Sequence, residues 1–462
     1  MSTLKFNEAL RVAAEATLNS RLPTQWPVLI VRDVYGRLRF AIDAYRPVSP
    51  EGYDERDEAS IPADQIYPAE AHQLLLEATA HLGRYATTQQ VLFRDDFSNP
   101  ASLFQNPDWH DTLVPAFEDA DGVIHPELTV PLLDRQIIGQ DWLRTKHERQ
   151  TNEPPRVVFY GLKGGVGRST ALAMLAYCLA REGKRVLLLD FDLESPGLSG
   201  LLLPADRVAG FGLVDWFIED AVNRDNSVLD DLVADSPLAE NTTGYIRVAA
   251  AMGQGEYAYL AKLARVYADV PTSTGPERFA QRMERLVKSL EAREQPDIVL
   301  IDSRAGLHDL AAISIATLAD LALMFATDSE QNWQGYRQIF AHWQQRPAVL
   351  RGVRERLWMV RAMFPETEQK ERFERFLEHS YDLFSENLYD EIDPAQEATE
   401  DVFSYAMDSE SAPHFPLTVR WNARFMEFDP LAPGNRGGIG DTDIDLAFGP
   451  FANRVKSILW GE

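Results

Sequence analysis

The sequence predicts an α/β fold: a doubly wound, mostly parallel sheet, with a smaller N-terminal α+β module. From residue 155 onwards, apolar runs of strand length alternate with segments of helical periodicity. Such alternation is typical of βαβ units, whose parallel strands are buried on both faces. With 462 residues the chain is also too long for one ordinary domain. We therefore expect an N-terminal module over residues 1–150 and an α/β domain over residues 151–462.

The N-terminal module begins with a helical pattern over residues 6–18, followed by two short apolar runs. Gly36 lies between those runs, residues 28–31 and 38–42, so the pattern predicts a β-hairpin. A second helix is predicted over residues 70–85, because apolar residues recur there at helical spacing. The positions expected on its apolar face are Leu74, Leu75, Ala78 and Leu82.

Two polar segments are predicted to lack regular structure. Residues 47–63 are acidic and contain proline, which favours a loop. Residues 145–155 form a polar linker, and we expect the boundary between the two domains there. No motif in residues 1–150 indicates what that module does.

A glycine-rich turn stands between the first apolar strand of the α/β domain and the helix that follows. Residues 163–170 have the sequence Lys-Gly-Gly-Val-Gly-Arg-Ser-Thr, after the apolar run 157–160. A turn in this position places the free backbone N–H groups of a helix N-terminus where they can bind phosphate. The glycines, Gly164, Gly165 and Gly167, are expected to allow a wrapped backbone that a Cβ would obstruct.

The side chains of the same turn suit an anionic ligand. Lys163 and Arg168 supply positive charge. Ser169 and Thr170 supply hydroxyl groups for a magnesium ion or a phosphate oxygen. The turn therefore predicts a phosphate-binding loop.

Two later strands end in carboxylates. Arg185 is followed by the apolar run 186–189, which leads to Asp190 and Asp192, and a second apolar run ends at Asp302. A carboxylate at the carboxyl end of a strand can hold the water shell of magnesium. Gly306 follows four residues after Asp302, and a flexible glycine there can turn its N–H towards a terminal phosphate. We expect the site at the carboxyl ends of the strands.

The other elements of the α/β domain follow the same alternation. Short helices are predicted over residues 214–222 and 228–233, and a strand over residues 245–250. A well-patterned helix over residues 277–294 leads into the strand that ends at Asp302. The last predicted elements are a strand over 321–327, a helix from 329 and a strand over 357–362.

Taken together, these segments resemble the ParA/MinD class of ATPases, which have a deviant Walker A loop of pattern K-G-G-x-G-K-(S/T)-(S/T). The chain matches this pattern at seven of eight positions, and Arg168 stands where the class has lysine. Residues 185–192 resemble its switch I. Residues 297–307 resemble its Walker B strand with switch II, where Arg304 replaces the proline of D-S-P-A-G. The motifs cover about residues 155–345, and the rest is covered by topology alone.

The resemblance implies ATP and Mg²⁺ as cofactors and an ATP-dependent homodimer with the nucleotide between its subunits. Lys163 would contact the phosphates bound by the partner subunit, and Arg168 those of its own nucleotide. Asp192 would position the attacking water. The implied magnesium ligands are Ser169, Asp190 and Asp302. The implied nucleotide-binding residues are Gly164, Gly165, Val166, Gly167, Arg168, Ser169, Thr170 and Gly306.

Two functions stay open at this point. Arg168 keeps the positive charge of lysine, but its planar fork binds oxygens side by side, which favours tight ATP binding with slow turnover. The chain would then be an ATPase that acts as a dimeric switch on a partner protein. The alternative is a non-hydrolysing, nucleotide-dependent scaffold that assembles a partner complex. The K-G-G-V-G-R variant resembles regulatory ATPases of bacterial conflict and antiphage operons. By that analogy the N-terminal module would contact an effector or sensor protein.

The net charge weighs against one activity of the class. The chain has 45 basic and 71 acidic residues, a formal net charge of −26. Residues 346–462, where a DNA-binding patch would be sought, have 13 basic and 22 acidic residues. Coating DNA requires clustered lysine and arginine that displace counterions. We therefore expect no bulk DNA binding, although a local basic patch stays open.

Cysteine usage and hydropathy favour a cytoplasmic protein. Cys178 is the only cysteine, which excludes an intramolecular disulfide and the iron–sulfur members of the class. The first residues lack the apolar segment of a signal peptide. No apolar run approaches the roughly 20 residues that span a bilayer. The apolar segment over 451–460 has two basic residues, so we expect a terminal helix that packs on the core and not on a membrane.

Two C-terminal segments have more than one interpretation. Residues 434–445 contain three alternating aspartates but lack the glycine and glutamate that an EF-hand requires, so an acidic surface loop is expected. Residues 415–430 lie where the class often contacts the nucleotide base. An ordinary packed loop is the other interpretation of that segment.

Overall fold

The structure, a computed structural model, gives the chain as two units. It describes residues 4–19, 25–47, 61–118, 123–145, 153–254, 258–273, 275–391, 402–425, 429–431 and 439–461. One unit contains Met1–Gln140 and His342–Ala348, and the other contains Asp141–Ala341 and Val349–Glu462. Residues 146–152 of the expected linker lie outside the described residues. The expected domains 1–150 and 151–462 stay a prediction.

The first unit has a five-stranded mixed sheet with the strand order β3-β2-β1-β7-β4. Strand β1 is antiparallel to β2 and parallel to β7, β3 is parallel to β2, and β4 is antiparallel to β7. Strands β5 and β6 form a separate two-stranded ribbon. The helices and strands of this unit are α1 Phe6–Asn19, β1 Leu29–Arg32, β2 Leu38–Ile42, α2 Ala69–Leu82, β3 Ala86–Phe93, α3 Ala101–Phe104, β4 His110–Val114, β5 Phe117–Glu118, β6 Ile124–His125 and β7 Leu128–Asp134.

The expected α+β character of this unit is confirmed, including its first helix and its hairpin. Gly36 closes the hairpin with φ of 81°, a left-handed conformation that suits glycine. The apolar face predicted for α2 is correct for Leu75 and Leu82, which are buried, and wrong for Leu74, which is 45% exposed. Leu74 and Leu75 are about 100° apart around a helix, so both cannot face the same core. Of the loop predicted over 47–63, residues 48–60 lie outside the described residues.

The second unit has an eight-stranded sheet with the order β10-β11-β9-β14-β8-β15-β16-β17. All of its neighbouring strands are parallel except β10 and β11. Its helices and strands are β8 Arg156–Gly161, α4 Arg168–Arg181, β9 Arg185–Phe191, α5 Leu198–Leu202, α6 Leu213–Asp220, α7 Asn226–Leu229, β10 Ala234–Asp235, β11 Tyr245–Ala249, α8 Tyr259–Val266, β12 Val270–Thr272, β13 Gly275–Glu277, α9 Phe279–Glu294, β14 Ile298–Ser303, α10 Asp309–Ala312, β15 Leu321–Ala326, α11 Glu330–Gln344, α12 Pro347–Val353, β16 Leu357–Phe364, α13 Gln369–Asn387, β17 Leu417–Arg420 and α14 Asp441–Trp460.

The predicted parallel sheet with flanking helices is therefore confirmed. All six residues of β8, β14 and β15 are buried, which explains why each strand appears in the sequence as a continuous apolar run. From β8 the chain first builds β9, β11 and β14 on one side and then β15 and β16 on the other. Ligands of such sheets bind where the strand order reverses, outside the carboxyl ends of the strands. Here that point lies beside β8.

The C-terminal helix α14 packs on the core of the second unit. Phe448, Phe451 and Val455 are buried in the same apolar cluster as α4, so the expected terminal helix on the core is confirmed. The acidic surface loop expected over 434–445 is wrong for residues 441–445, which are the first turn of α14. Aspartates are favourable there because the N-terminus of a helix is partially positive, and the Asp443 carboxylate accepts a hydrogen bond from the Gly440 N–H at 3.1 Å. Residues 434–438 lie outside the described residues.

Within the described ranges, no helix is both long and apolar enough to cross a membrane.

Candidate functional site

The glycine-rich loop joins the carboxyl end of β8 to the first residue of α4. Gly165 and Gly167 have φ of 76° and 77°, which a residue with a side chain rarely adopts. Apart from its chain neighbours, a Cβ at Gly164, Gly165 or Gly167 would meet no atom of the residues that the structure describes within 4 Å. The expected obstruction by protein atoms is therefore not found, and the space over the loop is open to a ligand. The side chain of Val166, between these glycines, is buried in the core cluster of the second unit.

The ends of two neighbouring strands bring the acidic residues together. Strand β14 lies between β8 and β9, and Asp302 on β14 is in register with Asp190 on β9. Neighbouring strands are about 4.8 Å apart, so these two carboxylates lie side by side. Asp192 follows one residue beyond the end of β9. The grouping at the carboxyl ends of the strands is the one that the sequence predicts.

Ser169 lies next to this group because it occupies the first turn of α4. Its hydroxyl donates a hydrogen bond to Asp302 Oδ2 at 2.7 Å. A serine and an aspartate oxygen are thus adjacent at the mouth of the loop. Oxygen atoms of this kind are the ligands that Mg²⁺ prefers. In the part of the chain that the structure describes, no group of three or more histidine, cysteine or acidic side chains is arranged to hold a metal ion.

Arg168 points towards the carboxylates. Its Nε donates to Asp302 Oδ1 at 2.6 Å, and its Nη2 donates to Asp192 Oδ2 at 3.0 Å. The guanidinium is 9% exposed. Burial lowers the pKa of Arg168, but the charges of Asp302 and Asp192 outweigh burial and raise it overall. The side chain expected on the phosphates of a nucleotide therefore lies, in this structure, on two acidic residues.

Burial is the main cause of the shifted pKa values of Asp190 and Asp192. Burial, and then the charges of Asp302 and Asp192, raise the pKa of Asp190 well above its ordinary range. Backbone N–H groups of Asp192 and Leu198 donate to Asp190 at 3.3 and 3.2 Å. Burial also raises the pKa of Asp192, against the opposing charge of Arg168. Three acidic side chains thus lie close together in a buried space, and the Arg168 guanidinium supplies the opposing positive charge.

Lys163 lies on the exposed part of the loop. Its ammonium group donates a hydrogen bond to Gln331 on the first turn of α11. It forms none of the contacts that join Arg168 and Ser169 to the acidic group. The two cations of the loop therefore have different surroundings, one in solvent and one buried.

Gly306 lies above the loop, with φ of 82°. Its N–H donates to the Gly161 carbonyl at 3.2 Å, and its carbonyl accepts from the Tyr160 hydroxyl at 3.2 Å. The amide expected to meet a terminal phosphate is thus held at the end of β8. It can reach a phosphate only if this hydrogen bond breaks.

A second group of charged side chains, which the sequence does not indicate, joins the two predicted switch segments. Glu194 follows Asp192 and forms an ion pair with Arg304. It also accepts a hydrogen bond from the hydroxyl of Tyr267, beyond the end of α8, and its Oε1 lies 3.7 Å from Nε2 of His308. From the sequence, Arg304 is recognisable only as the residue that stands in place of a proline. We call these four residues the switch cluster.

A cavity of about 370 Å³ opens beside the loop. Gly165 and Thr170 line one side of it, and residues of the 415–430 segment, including Trp421, line another. Met363 also lines it, with φ of 51° at an irregularity in the pairing of β16 with β17. No local pattern in the sequence indicates this backbone conformation, so Met363 could not be predicted. The remaining lining residues are Val166, Gly167, Val419, Arg420, Asn422, Phe425 and Phe448.

Comparison with known proteins agrees with this arrangement. The family model described as "CobQ/CobB/MinD/ParA nucleotide binding domain" matches residues 157–322. The chain is 48% identical over 52 residues to the chromosome-partitioning ATPase Soj of Thermus thermophilus. That match covers 11% of this chain and 21% of Soj, so the chain spans about a fifth of the length of that relative.

Solved structures of the same class are similar at low identity. A ParA family ATPase from Chlorobium tepidum aligns with a TM-score of 0.40 and 14% identity, covering 65% of this chain and 98% of that chain. The ATP complex of an McdA variant from Cyanothece aligns with a TM-score of 0.40 and 14% identity, covering 66% of this chain and 96% of that chain.

The match of the family model starts in β8 and ends in β15, and it contains the glycine-rich loop and both strands that end in aspartates. Over residues 157–322 the chain is therefore similar to the CobQ/CobB/MinD/ParA nucleotide binding domain.

Proposed function

We propose that this chain binds ATP with Mg²⁺ and acts as a dimeric, slowly hydrolysing switch that regulates a partner protein. The observation that carries the proposal is the position of the open glycine loop, directly beside Ser169 and Asp302, whose oxygens lie 2.7 Å apart. Backbone N–H groups at the start of α4 suit the phosphates, and the neighbouring oxygens suit the metal ion.

The donor set fits Mg²⁺ in company with a nucleotide. Mg²⁺ in such sites takes one or two protein oxygens and completes its shell with water and substrate phosphates. Ser169 and Asp302 would hold it, with Asp190 in its water shell. When bound, the ion supplies charge neutralisation for the phosphates. This chain's own contribution is the loop that positions the phosphates and the carboxylate of Asp192 that orients water.

The cavity beside the loop supports a nucleotide with a flat base. Trp421 is 36% exposed at its wall, and an aromatic ring stacks on any base with about 1–3 kcal/mol per base. We expect Trp421→Ala to weaken ATP binding about tenfold. Binding of inorganic tripolyphosphate, which has no base, serves as the internal control and should not change.

Isothermal titration with ATP, ADP and a non-hydrolysable ATP analogue tests the nucleotide proposal. Heat of binding is expected for all three in the presence of Mg²⁺. Ser169→Ala should lose the magnesium-dependent part of the affinity, whereas Ser385→Ala, on the exposed face of α13, should not. Absence of heat at millimolar nucleotide would refute the proposal. An unchanged magnesium dependence in Ser169→Ala would refute the role of that serine alone.

ATP is proposed to drive dimerisation through Lys163. This lysine is exposed on the loop, where a second subunit could meet it. Light scattering should show a doubled mass with ATP and not with ADP, and Lys163→Ala should abolish the change. Lys370→Ala, an exposed lysine on α13, is the matched control. If the molar mass of the wild type is the same with ATP, with ADP and without nucleotide, the dimeric switch is refuted.

A non-hydrolysing scaffold is the second candidate, and one observation favours it. Asp192, the residue proposed to orient water, is held by Arg168 at 3.0 Å. A slow ATPase predicts turnover below about 1 s⁻¹, the lower end of typical enzymes, which Asp192→Ala abolishes while ATP stays bound. The scaffold predicts no phosphate release from the wild type and an unchanged partner complex in Asp192→Ala. Phosphate release and partner co-purification, measured on both proteins, distinguish the two.

The partner is proposed to be an effector or sensor protein that contacts the N-terminal module, in a bacterial conflict system. The family-level resemblance of the K-G-G-V-G-R loop supports this assignment. Cells that carry the intact operon should resist phage, and Ser169→Ala should remove the resistance. Equal resistance with Ser169→Ala would refute a nucleotide-dependent role in defence.

A further inference from the structure

The buried position of Arg168 is unexpected for a residue at the start of a helix. Arg168 is the first residue of α4, where the helix dipole is positive and a cation is unfavourable. A bound phosphate would offset this charge in a loaded site. In the structure the side chain lies against Asp302 and Asp192. The acidic residues thus take the place of the anion that the loop is built to bind.

These contacts also occupy the oxygens that a metal ion would need. Asp302 Oδ1 accepts from Arg168, and Asp302 Oδ2 accepts from Ser169. One oxygen of Asp192 accepts from the same guanidinium. A carboxylate whose two oxygens both accept hydrogen bonds offers little to a cation in solution. The closed arrangement therefore competes with metal binding.

Arginine suits this closure better than lysine does. The guanidinium presents separate N–H groups in a rigid fork, and here Nε and Nη2 serve two different carboxylates. A lysine ends in one compact ammonium group on a flexible stem. The replacement of the usual lysine by Arg168 is thus the change that allows one side chain to bridge two strand ends.

The closed arrangement still leaves one strong donor unsatisfied. Nη1 of Arg168 is buried and has no hydrogen-bond acceptor among the described residues. A buried donor without an acceptor is unfavourable, and a phosphate oxygen would satisfy it. A phosphate oxygen would therefore provide Arg168 with an acceptor that its contacts with Asp302 and Asp192 leave missing.

We propose that Arg168 is an internal cation that closes the carboxylates in the nucleotide-free protein, so that a divalent metal ion enters only together with a nucleotide. The phosphates draw the guanidinium away from Asp302 and Asp192, which frees the first for the metal ion and the second for water. This inference rests on the proposed nucleotide binding and adds to it an order of loading. Metal alone does not bind, and Asp192 is withheld until nucleotide is present.

Binding of Mn²⁺ to the nucleotide-free protein, followed by the loss of the free-ion EPR signal, tests this order. The wild type should leave Mn²⁺ free, and Arg168→Gln should bind it at least about tenfold more tightly, because the charge-assisted contacts of Arg168 to Asp302 and Asp192 are removed. Arg168→Lys, which keeps the charge, should show a smaller gain. Adding Asp302→Asn to either variant should abolish the gain, because the binding carboxylate is lost.

The outcomes that contradict the inference are distinct from those that contradict nucleotide binding. If the nucleotide-free wild type binds Mn²⁺ as tightly as both Arg168 variants, Arg168 does not close the site, whatever its affinity for ATP. If Arg168→Gln fails to fold, Arg168→Lys and the wild type still give the comparison. If the wild type shows no heat with ATP but the variants gain Mn²⁺ binding, the proposed function fails and the closure by Arg168 stands.

Discussion

Two groups of charged side chains lie around the same strand ends, and they differ in burial. In the group under the loop, Arg168, Asp192 and Asp302 have side chains that are 9%, 12% and 2% exposed. In the switch cluster, Arg304 and Glu194 are 28% and 23% exposed. Removing one partner of a buried pair leaves an uncompensated charge, whereas water compensates for most of an exposed one. The first group should therefore determine stability, and the second should mainly determine how the switch segments move together.

The largest expected effect comes from removing the buried cation. Arg168→Ala should lower the free energy of unfolding by about 3–5 kcal/mol, because the acidic residues lose their partner. Urea denaturation of the nucleotide-free protein measures this, and Arg168→Lys should lose much less. Arg304→Ala is the matched arginine of the switch cluster. If Arg168→Ala and Arg304→Ala lower the free energy of unfolding equally, the difference in burial does not determine which of the two groups stabilises the fold.

A second expectation concerns pH, with Asp190 as the group that titrates. Its pKa in the folded protein is raised above the ordinary 3.8, so the folded state holds a proton that the unfolded state has released. Stability should therefore fall as pH rises from about 3.8 towards the raised pKa. Asp190→Asn, which mimics the protonated form, should flatten this slope in urea denaturation at several pH values.

The pKa of Asp297 is shifted in the direction opposite to that of Asp190, so urea denaturation at several pH values should show the opposite trend for this residue. Its hydrogen bonds from Arg185, together with the charge of that residue, lower its pKa below 3.8. The stability that it contributes is present above pH 3.8 and is lost as pH falls through the lowered value. Asp297→Asn should therefore change the slope only below about pH 4. A fall in stability above pH 3.8 that persists in Asp190→Asn would assign the titration to another group.

The smallest effect on stability is expected in the switch cluster. Glu194→Gln should change the free energy of unfolding by about 1 kcal/mol or less, since its ion pair with Arg304 is partly exposed. Burial lowers the pKa of His308, so Arg304 supplies the positive charge at neutral pH. Hydrogen exchange should become faster at residues 193–195 and 304–308.

Glu240→Gln removes an exposed ion pair with Arg207 far along the chain and serves as the control for Glu194→Gln. Its exchange rates at those two segments should equal those of the wild type. Unchanged exchange in Glu194→Gln would mean that the cluster does not couple the switch segments.

The strands and the grouping of acidic residues were predictable because they follow from local periodicity and from the geometry of parallel sheets. A buried run such as β14 appears in the sequence as continuous apolar residues, and its end fixes where Asp302 must lie. The contact of Arg168 was not predictable in this way. It depends on which of several rotamers meets an acceptor, and Asp302 is 134 residues away in sequence.

Three features of the structure differ from the sequence predictions or are not indicated by the sequence, and each has a physical cause. The three alternating aspartates at 441–445 favour a surface loop by composition, but they begin helix α14. Acidic residues after a glycine are also typical of a helix N-terminus, and composition does not distinguish the two. The left-handed backbone of Met363 arises from the irregular pairing of two strands, and no residue type indicates it. The switch cluster requires Tyr267 and Glu194, which are 73 residues apart, to meet in space.

The Gly306 N–H donates a hydrogen bond to the Gly161 carbonyl, so the hydrogen-exchange rate of this amide reports whether that bond is intact. While the bond is intact, the Gly306 amide is protected and exchanges slowly with solvent. ADP has no third phosphate to attract this amide, so protection should persist after hydrolysis as it does in the empty protein. In the presence of ATP, the terminal phosphate would replace the Gly161 carbonyl as the acceptor of the Gly306 N–H. The protection of this one amide from hydrogen exchange would then change. The rate at one glycine amide would then report how long each molecule keeps its terminal phosphate.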